Sequence, residues 1–217
     1  IGKALLDAAM WTNKKCTPWK PQEPDYVAML STKFVKDFFN VLVAVFPHYD
    51  FSIVGVYCHQ KPIVDIKEAK KPELGDILFV YADRKRKGEM VLNSLLLQAK
   101  ISNNPRLHVH QSERHQLKLY KNWPQFTYCR ARNLNGKMRN IFPKTINDGA
   151  QYLLIADNSL ANGFFAGNRM FPMGCAIPDD ILYINDSLSS ELINLLKFKS
   201  GRTFDSDLYS TEDGWSK

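Results

Sequence analysis

Residues 73–100 constrain this chain more than any other stretch. They read ELGDILFVYA, a charged connection DRKRKGEM, then VLNSLLLQAK. Two apolar runs joined by a polar turn are a hairpin signal. In an antiparallel pair the start of one strand lies beside the end of the next. Asp76 opens the first strand, so it falls next to Gln98 and Lys100, which close the second. Side chains alternate with period two, which puts Gln98 and Lys100 on one face and Ala99 on the other. Strands this apolar are usually buried on both faces, and a buried Gln or Lys needs a reason. Taken singly, each residue is what a strand end reaching solvent also carries. Together, an acid, an amide oxygen and an ammonium at one sheet edge can hold a hard cation and activate a water beside it.

The flanking sequence supplies the rest of a layered domain. Residues 1–24 hold Trp11, Trp19, Pro18 and Pro21 and read as a short helix followed by a Pro-rich arm, packed through its two Trp residues. From Asp25, a plausible N-cap, apolar residues recur at helical spacing up to Pro47. The later part of this helix is apolar almost all round and should lie deep against a sheet. Residues 51–58, FSIVGVYC, read as a β-branched strand. After Lys100, Asn103, Asn104 and Pro105 end the third strand, and Ser112 is placed to cap a short helix stopped by Pro124. Residues 151–157 are a clear strand, residues 158–174 a Gly- and Asn-rich loop, and IPDDILYIN a strand or helix entry. Ser189 or Ser190 is placed to cap a last helix that Gly201 stops. Residues 205–217 read as a weakly ordered tail.

At 217 residues and 45% hydrophobic, the chain can bury a full core within one domain. It carries no apolar run near the ~20 residues that span a bilayer, so no membrane partner is expected. The opening IGKALLDAAMW lacks a cleavage-site pattern and is not read as a signal peptide. With no initiating Met, the chain reads as trimmed or as a piece of something longer. The net charge of +7 favours an anionic partner. Arg84, Lys85, Arg86 and Lys87 cluster in the hairpin connection, some five or six residues (roughly 17–20 Å) from the Asp76 edge. Arg130, Arg132, Lys137, Arg139 and Lys144 follow one another with no acid between them, as expected of a loop that faces nucleic acid. Cys16, Cys58, Cys129 and Cys175 are widely spaced, which fits free, mostly buried thiols in a reducing, cytoplasmic setting. His108, His110 and His115 lack metal-ligand spacing, and Cys58 and His59 point to opposite faces of a strand. The aromatic run at residues 119–128 reads as core. No phosphate-binding Gly-rich loop is present.

The order helix, strand, strand, strand, helix, strand over residues 25–157 resembles the PD-(D/E)XK nuclease superfamily. With Asp76 opening the second strand and Gln98-Ala99-Lys100 closing the third, it is most similar to the Asp…Gln-x-Lys branch that includes Mrr-type restriction endonucleases. The N-terminal arm and the last 60 or so residues take no part in the likeness. The resemblance implies an α/β, three-layer, restriction-endonuclease-like fold with a central mixed β-sheet flanked by helices. It implies a Mg²⁺-dependent DNA endonuclease, with Mn²⁺ able to substitute. Its setting would be restriction or anti-phage defence, as a homodimer or part of a larger complex. The alternatives are a catalytically inactive nucleic-acid-binding module of the same fold, or an interaction subunit of a defence complex. By the resemblance, Asp76 is the principal metal ligand. Gln98 adds its side-chain oxygen, Ala99 its backbone carbonyl, and Lys100 orients the attacking water. Two departures stand out. Gly75 precedes Asp76 where a proline is usual, and Gln98 replaces the acid of most members, so a further acid is sought among Glu73, Asp37 and Glu113.

Overall fold

The computed structural model describes residues 1–57, 60–84, 90–144, 149–157, 163–166, 169–204 and 215. Helix α1 (Gly2–Cys16) is longer than the sequence suggested and ends just before Pro18. It packs through Ala4, Leu5, Ala8, Ala9 and Thr12, whereas Trp19 is 80% exposed and Trp11 43%. The first residues are therefore part of the helical layer, and the Trp side chains do not fasten them. Helix α2 (Glu23–Met29) follows. Gln22, not Asp25, is its N-cap: the Asp25 carboxylate accepts from the Gln22 N–H at 2.8 Å. Pro24 sits in the first turn, where its missing N–H leaves no bond unmade. The helix runs on through a π-helical turn at Leu30–Phe34 into α3 (Val35–Val45). Within that turn Ser31 and Thr32 bond back to the carbonyls of Val27 and Ala28, a pattern that bends helices. The far end of α3 is more open than its composition implied: Val43, Val45 and Phe46 are all exposed.

Residues 51–57 form no strand. Gly55 approaches Ser31 so closely that a Cβ there would overlap the Ser31 carbonyl. This segment thus packs on the helix, with Phe51 and Ile53 against the same core as Ile77, Phe79 and Tyr81 of the following strand. Cys58 and His59 lie outside the described residues. The strands then come in the order β1 (Ile63–Asp65), β2 (Ile77–Arg84), β3 (Met90–Ser102) and β4 (Arg106–His108). A 3₁₀ turn at Gln111–Glu113 leads into α4 (Arg114–Asn122). The cap of that turn is His110, whose Nδ1 accepts from the Ser112 N–H. Next are β5 (Phe126–Arg130), β6 (Met138–Arg139) and β7 (Ala150–Ala156). The expected loop at residues 158–174 instead contains the hairpin β8 (Phe164–Ala166) and β9 (Arg169–Phe171) and the start of β10 (Met173–Ala176). After β11 (Ile181–Ser187), helix α5 (Leu188–Leu196) is capped by Ser187, two residues earlier than read, and β12 (Arg202–Phe204) closes the described chain but for Trp215.

Strand β3 is the spine of a mixed seven-stranded sheet in the order β12-β3-β7-β10-β11-β4, with β2 on the other side of β3. Along one edge it pairs antiparallel with β2 from Ile77↔Leu97 to Arg84↔Met90. Its other edge is shared. Antiparallel β12 takes Leu92 to Ser94, and parallel β7 takes Leu96 to Ser102. Leu95, Leu97 and Ala99 face a helical layer of α1 to α3 and α5. Leu96, with Tyr152 and Leu154 of β7, faces α4 and a small sheet of β1, β5 and β6. The fold is mixed α/β with three layers, and β10, β11, α5 and β12 are integral to it. Among the described residues no helix is long and apolar enough to cross a membrane.

The alternation along the hairpin is directly testable. Leu97 is fully buried and Leu78 is 57% exposed. Leu97→Ala is expected to cost about 2–5 kcal/mol of stability, read as a lower denaturant midpoint, whereas Leu78→Ala should stay within about 0.5 kcal/mol.

Candidate active site

The site arises where β2 stops covering β3. The Asp76 N–H still donates to the Leu97 carbonyl at 2.9 Å, and there the ladder ends. The next outward-facing N–H groups of β3 belong to Ala99 and Ile101 and have no strand opposite. Side-chain carboxylates satisfy them instead. Asp76 Oδ2 accepts from the Ala99 N–H at 2.7 Å, and Glu23 Oε1, from the first turn of α2, accepts from the Ile101 N–H at 3.2 Å. Two acids thus line one open strand edge about 7 Å apart, two residues at ~3.3 Å each.

Gln98 and Lys100 project beside them, on the face toward α4. The Gln98 amide Nε2 donates to Asp76 Oδ2, and Lys100 Nζ contacts Glu113 Oε1 at 2.5 Å. Asp76, Gln98 and Lys100 therefore converge, as the hairpin reading required. Gly75 is explained by the same crowding. A Cβ there would lie 2.7 Å from both the Tyr120 hydroxyl and Leu96 Cδ1, and that hydroxyl is committed to the Leu74 carbonyl at 2.9 Å.

The electrostatics follow from the packing. Burial pushes the Asp76 carboxyl up to about 7; the Ala99 N–H works against this, and Glu73 and Glu23 add to it. For Lys100, burial alone favours loss of the proton. Glu23, Glu113 and Asp76 outweigh it and hold the ammonium above its ordinary range. The Lys100 cation is therefore permanent near neutral pH, while Asp76 titrates there.

Among the described residues, four buried polar atoms on this face lack a hydrogen-bond partner: Gln98 Oε1, Gln116 Nε2, Tyr152 Oη and, farther along, Trp123 Nε1. Gln98 and Tyr152 are register partners on β3 and β7. Gln116 lies on α4 between Glu113 and Tyr120, which reach Lys100 and Leu74 respectively. An orphaned buried acceptor is costly, and one beside a carboxylate suits a hard cation, which takes oxygen ligands and keeps waters. The oxygens of Asp76 and Gln98 are of the type that Mg²⁺ or Mn²⁺ takes, while Glu23, about 7 Å along the strand, is placed to reach the same ion only through a bound water. Among the described residues, no three His, Cys, Asp or Glu side chains form a metal site by themselves, so the amide oxygen is needed in any such set.

The remaining candidates separate. Glu113 is at the site as the partner of Lys100. Glu73 acts on Asp76 through its charge. Asp37 is engaged by Lys33 at 2.8 Å on α3. Ala99 contributes its N–H to Asp76. Arg84 lies eight residues along β2 from Asp76, about 26 Å at ~3.3 Å per residue, farther than the sequence suggested. Lys85, Arg86 and Lys87 lie outside the described residues. Arg130, Arg132, Lys137, Arg139 and Lys144 belong to the small β1-β5-β6 sheet and the turns around it. Glu23 was not foreseen, because an acid in the first turn of a helix is ordinary on dipole grounds alone. Gln116 and Tyr120 carried a signal: with Glu113 they lie three and seven residues apart, one face of a helix.

Comparison of the chain with family models, with curated proteins and with solved structures returns no match.

The raised Asp76 value dictates a pH dependence for the metal-free protein. Because the folded value lies above the ordinary 3.8, folding favours the protonated form. That contribution is complete below about pH 4 and is lost as the pH rises through 7, on the order of 4 kcal/mol in all. Asp76→Asn keeps a neutral side chain throughout. In chelator, its melting temperature should overtake that of the unsubstituted protein between pH 5 and 8; parallel curves would refute the assignment.

Proposed function

We propose that this protein is a metal-dependent nuclease that hydrolyses phosphodiester bonds in DNA. One observation carries the reading: Asp76, Gln98 and Lys100 meet at an open strand edge beside a second carboxylate, Glu23. The resemblance to the Asp…Gln-x-Lys nucleases rests on the same three residues and extends the proposal to restriction or anti-phage defence.

The chain's own groups have definable tasks. Asp76 and Gln98 would hold the cation, with Glu23 as the further acid, acting through a bound water. The bound ion supplies polarisation of a phosphoryl oxygen and a water of lowered pKa. Lys100, kept protonated by the surrounding carboxylates, cannot accept a proton from water. It serves as a donor that orients the nucleophile and offsets charge developing on the phosphoryl oxygens. Glu113 fixes where that ammonium points. Gln116 and Tyr152 leave further buried polar atoms unsatisfied on the same face.

A polyanionic substrate is supported by the cations of the β5–β6 region. Arg130, Arg132, Lys137 and Lys144 are exposed, and among the described residues none forms a salt bridge. Unpaired like charges repel one another unless an anion is near.

Plasmid nicking in Mg²⁺ is the decisive assay. Asp76→Ala and Lys100→Ala should each lower the rate at least about 100-fold while DNA binding persists; tight binding with no nicking by the unsubstituted protein would instead mark a silent binding module. Replacing Arg130, Arg132, Lys137 and Lys144 together should weaken binding to all sequences. It should also flatten the dependence of log K on log salt by about 0.7–0.9 for each phosphate that is no longer neutralised. An unchanged slope would place the DNA elsewhere.

A further inference from the structure

Beside the reactive cluster, on the same face of β3, lies a cavity of about 220 Å³. Leu74 and Leu96 form its near wall, each two residues from a site residue, Asp76 and Gln98. Trp123, Phe126, Tyr128, Phe204 and Trp215 supply its aromatic lining. Trp123 and Trp215 meet edge to face at 5.5 Å and 86°, and Phe126 and Tyr128 do so at 5.5 Å and 87°. The aromatic pairs thus bring both ring faces and ring edges to one small space. Apolar cavities of about 150 Å³ admit a benzene ring, so a heterocycle has room here.

Trp123 backs the aromatic wall: it is fully buried and its indole N–H has no partner, which is uncommon for a buried donor. It closes α4 in the left-handed region, at φ 41°, a common way for a helix to end.

We infer that this cavity receives one unstacked nucleobase of a DNA strand whose backbone crosses the Asp76–Lys100 edge. The inference deepens the nuclease reading and rests on it. Tyr128 and Trp215, the partly exposed aromatic walls, stack on or abut the base, with the fully buried Trp123 behind them. The exposed Leu78 and Val80 stand at the mouth. The β5–β6 strands that supply Phe126 and Tyr128 also carry Arg130 and Arg139, so the phosphates flanking the base meet positive charge. Leu96 lies about 7 Å from Gln98 along the strand, close enough for the base and the reacting phosphate to be neighbours.

The test is binding without catalysis. A single abasic residue is moved along a short single-stranded DNA, and affinity is measured in chelator by fluorescence anisotropy. One position should weaken binding about tenfold or more, and the others little. Leu78→Trp, which fills the mouth from an exposed position, should abolish that position dependence; Tyr128→Ala, which removes a partly exposed ring of the wall, should reduce it several-fold. Asp76→Asn should preserve it, so a protein that never nicks plasmid but keeps the position effect loses the nuclease reading and retains the base site. The inference is overturned if every abasic strand binds like the intact one, as it would if the cavity took an aromatic side chain of a protein partner. It is equally overturned if free deoxynucleotides compete as strongly as the strand, or if folded Leu78→Trp and Tyr128→Ala variants leave the position effect intact.

Discussion

Everything at the candidate site depends on β3 outrunning β2. Thirteen residues of β3 are matched by eight of β2, and the surplus leaves strand N–H groups facing outward with nothing alongside. Backbone donors inside a fold have to be satisfied. Here the acceptors are carboxylates delivered from two different parts of the chain, Asp76 and Glu23. A structural need for hydrogen bonding thus gathers negative charge at one edge. The Lys100 ammonium on the neighbouring face is the answer to that charge as much as it is a potential participant in chemistry.

The same geometry explains why Asp76 and Lys100 respond differently to burial. Asp76 is largely enclosed, receives one backbone N–H, and sits near two other carboxylates, so its neutral form is favoured. Lys100 is also largely enclosed but is ringed by opposite charge. A divalent cation between Asp76 and Gln98 would reverse the balance at Asp76 by favouring the carboxylate. It would also give Gln98 Oε1 the partner it lacks. The cluster is thus strained electrostatically in a direction that an added positive charge relieves.

Much of this was legible from residue order. Period-two alternation in a strongly apolar hairpin was enough to bring Asp76, Gln98 and Lys100 together, because strand pairing is local in sequence and leaves little freedom of register. Residues 51–57 form no strand because β-branched composition reports only compatibility with a sheet, and tertiary packing against Ser31 takes the segment elsewhere. Helix caps slipped by a few residues, at Gln22 against Asp25 and at Ser187 against Ser189 or Ser190, since several adjacent polar residues could each do the work. Glu23 was beyond reach. Its contact with Ile101 spans 78 positions, and nothing local in the sequence encodes that meeting.

Strand β3 also decides how the molecule comes apart. The N-terminal helices pack on one of its faces, α4 covers the other, β2 borders one edge, and β7 and β12 divide the opposite edge end to end. Segments from the beginning, middle and end of the chain therefore share a single keystone, and none of them can peel away without loosening what the others rest upon. Such an arrangement favours all-or-none unfolding. Backbone amides deep in β3 would then exchange with solvent only when the whole domain opens.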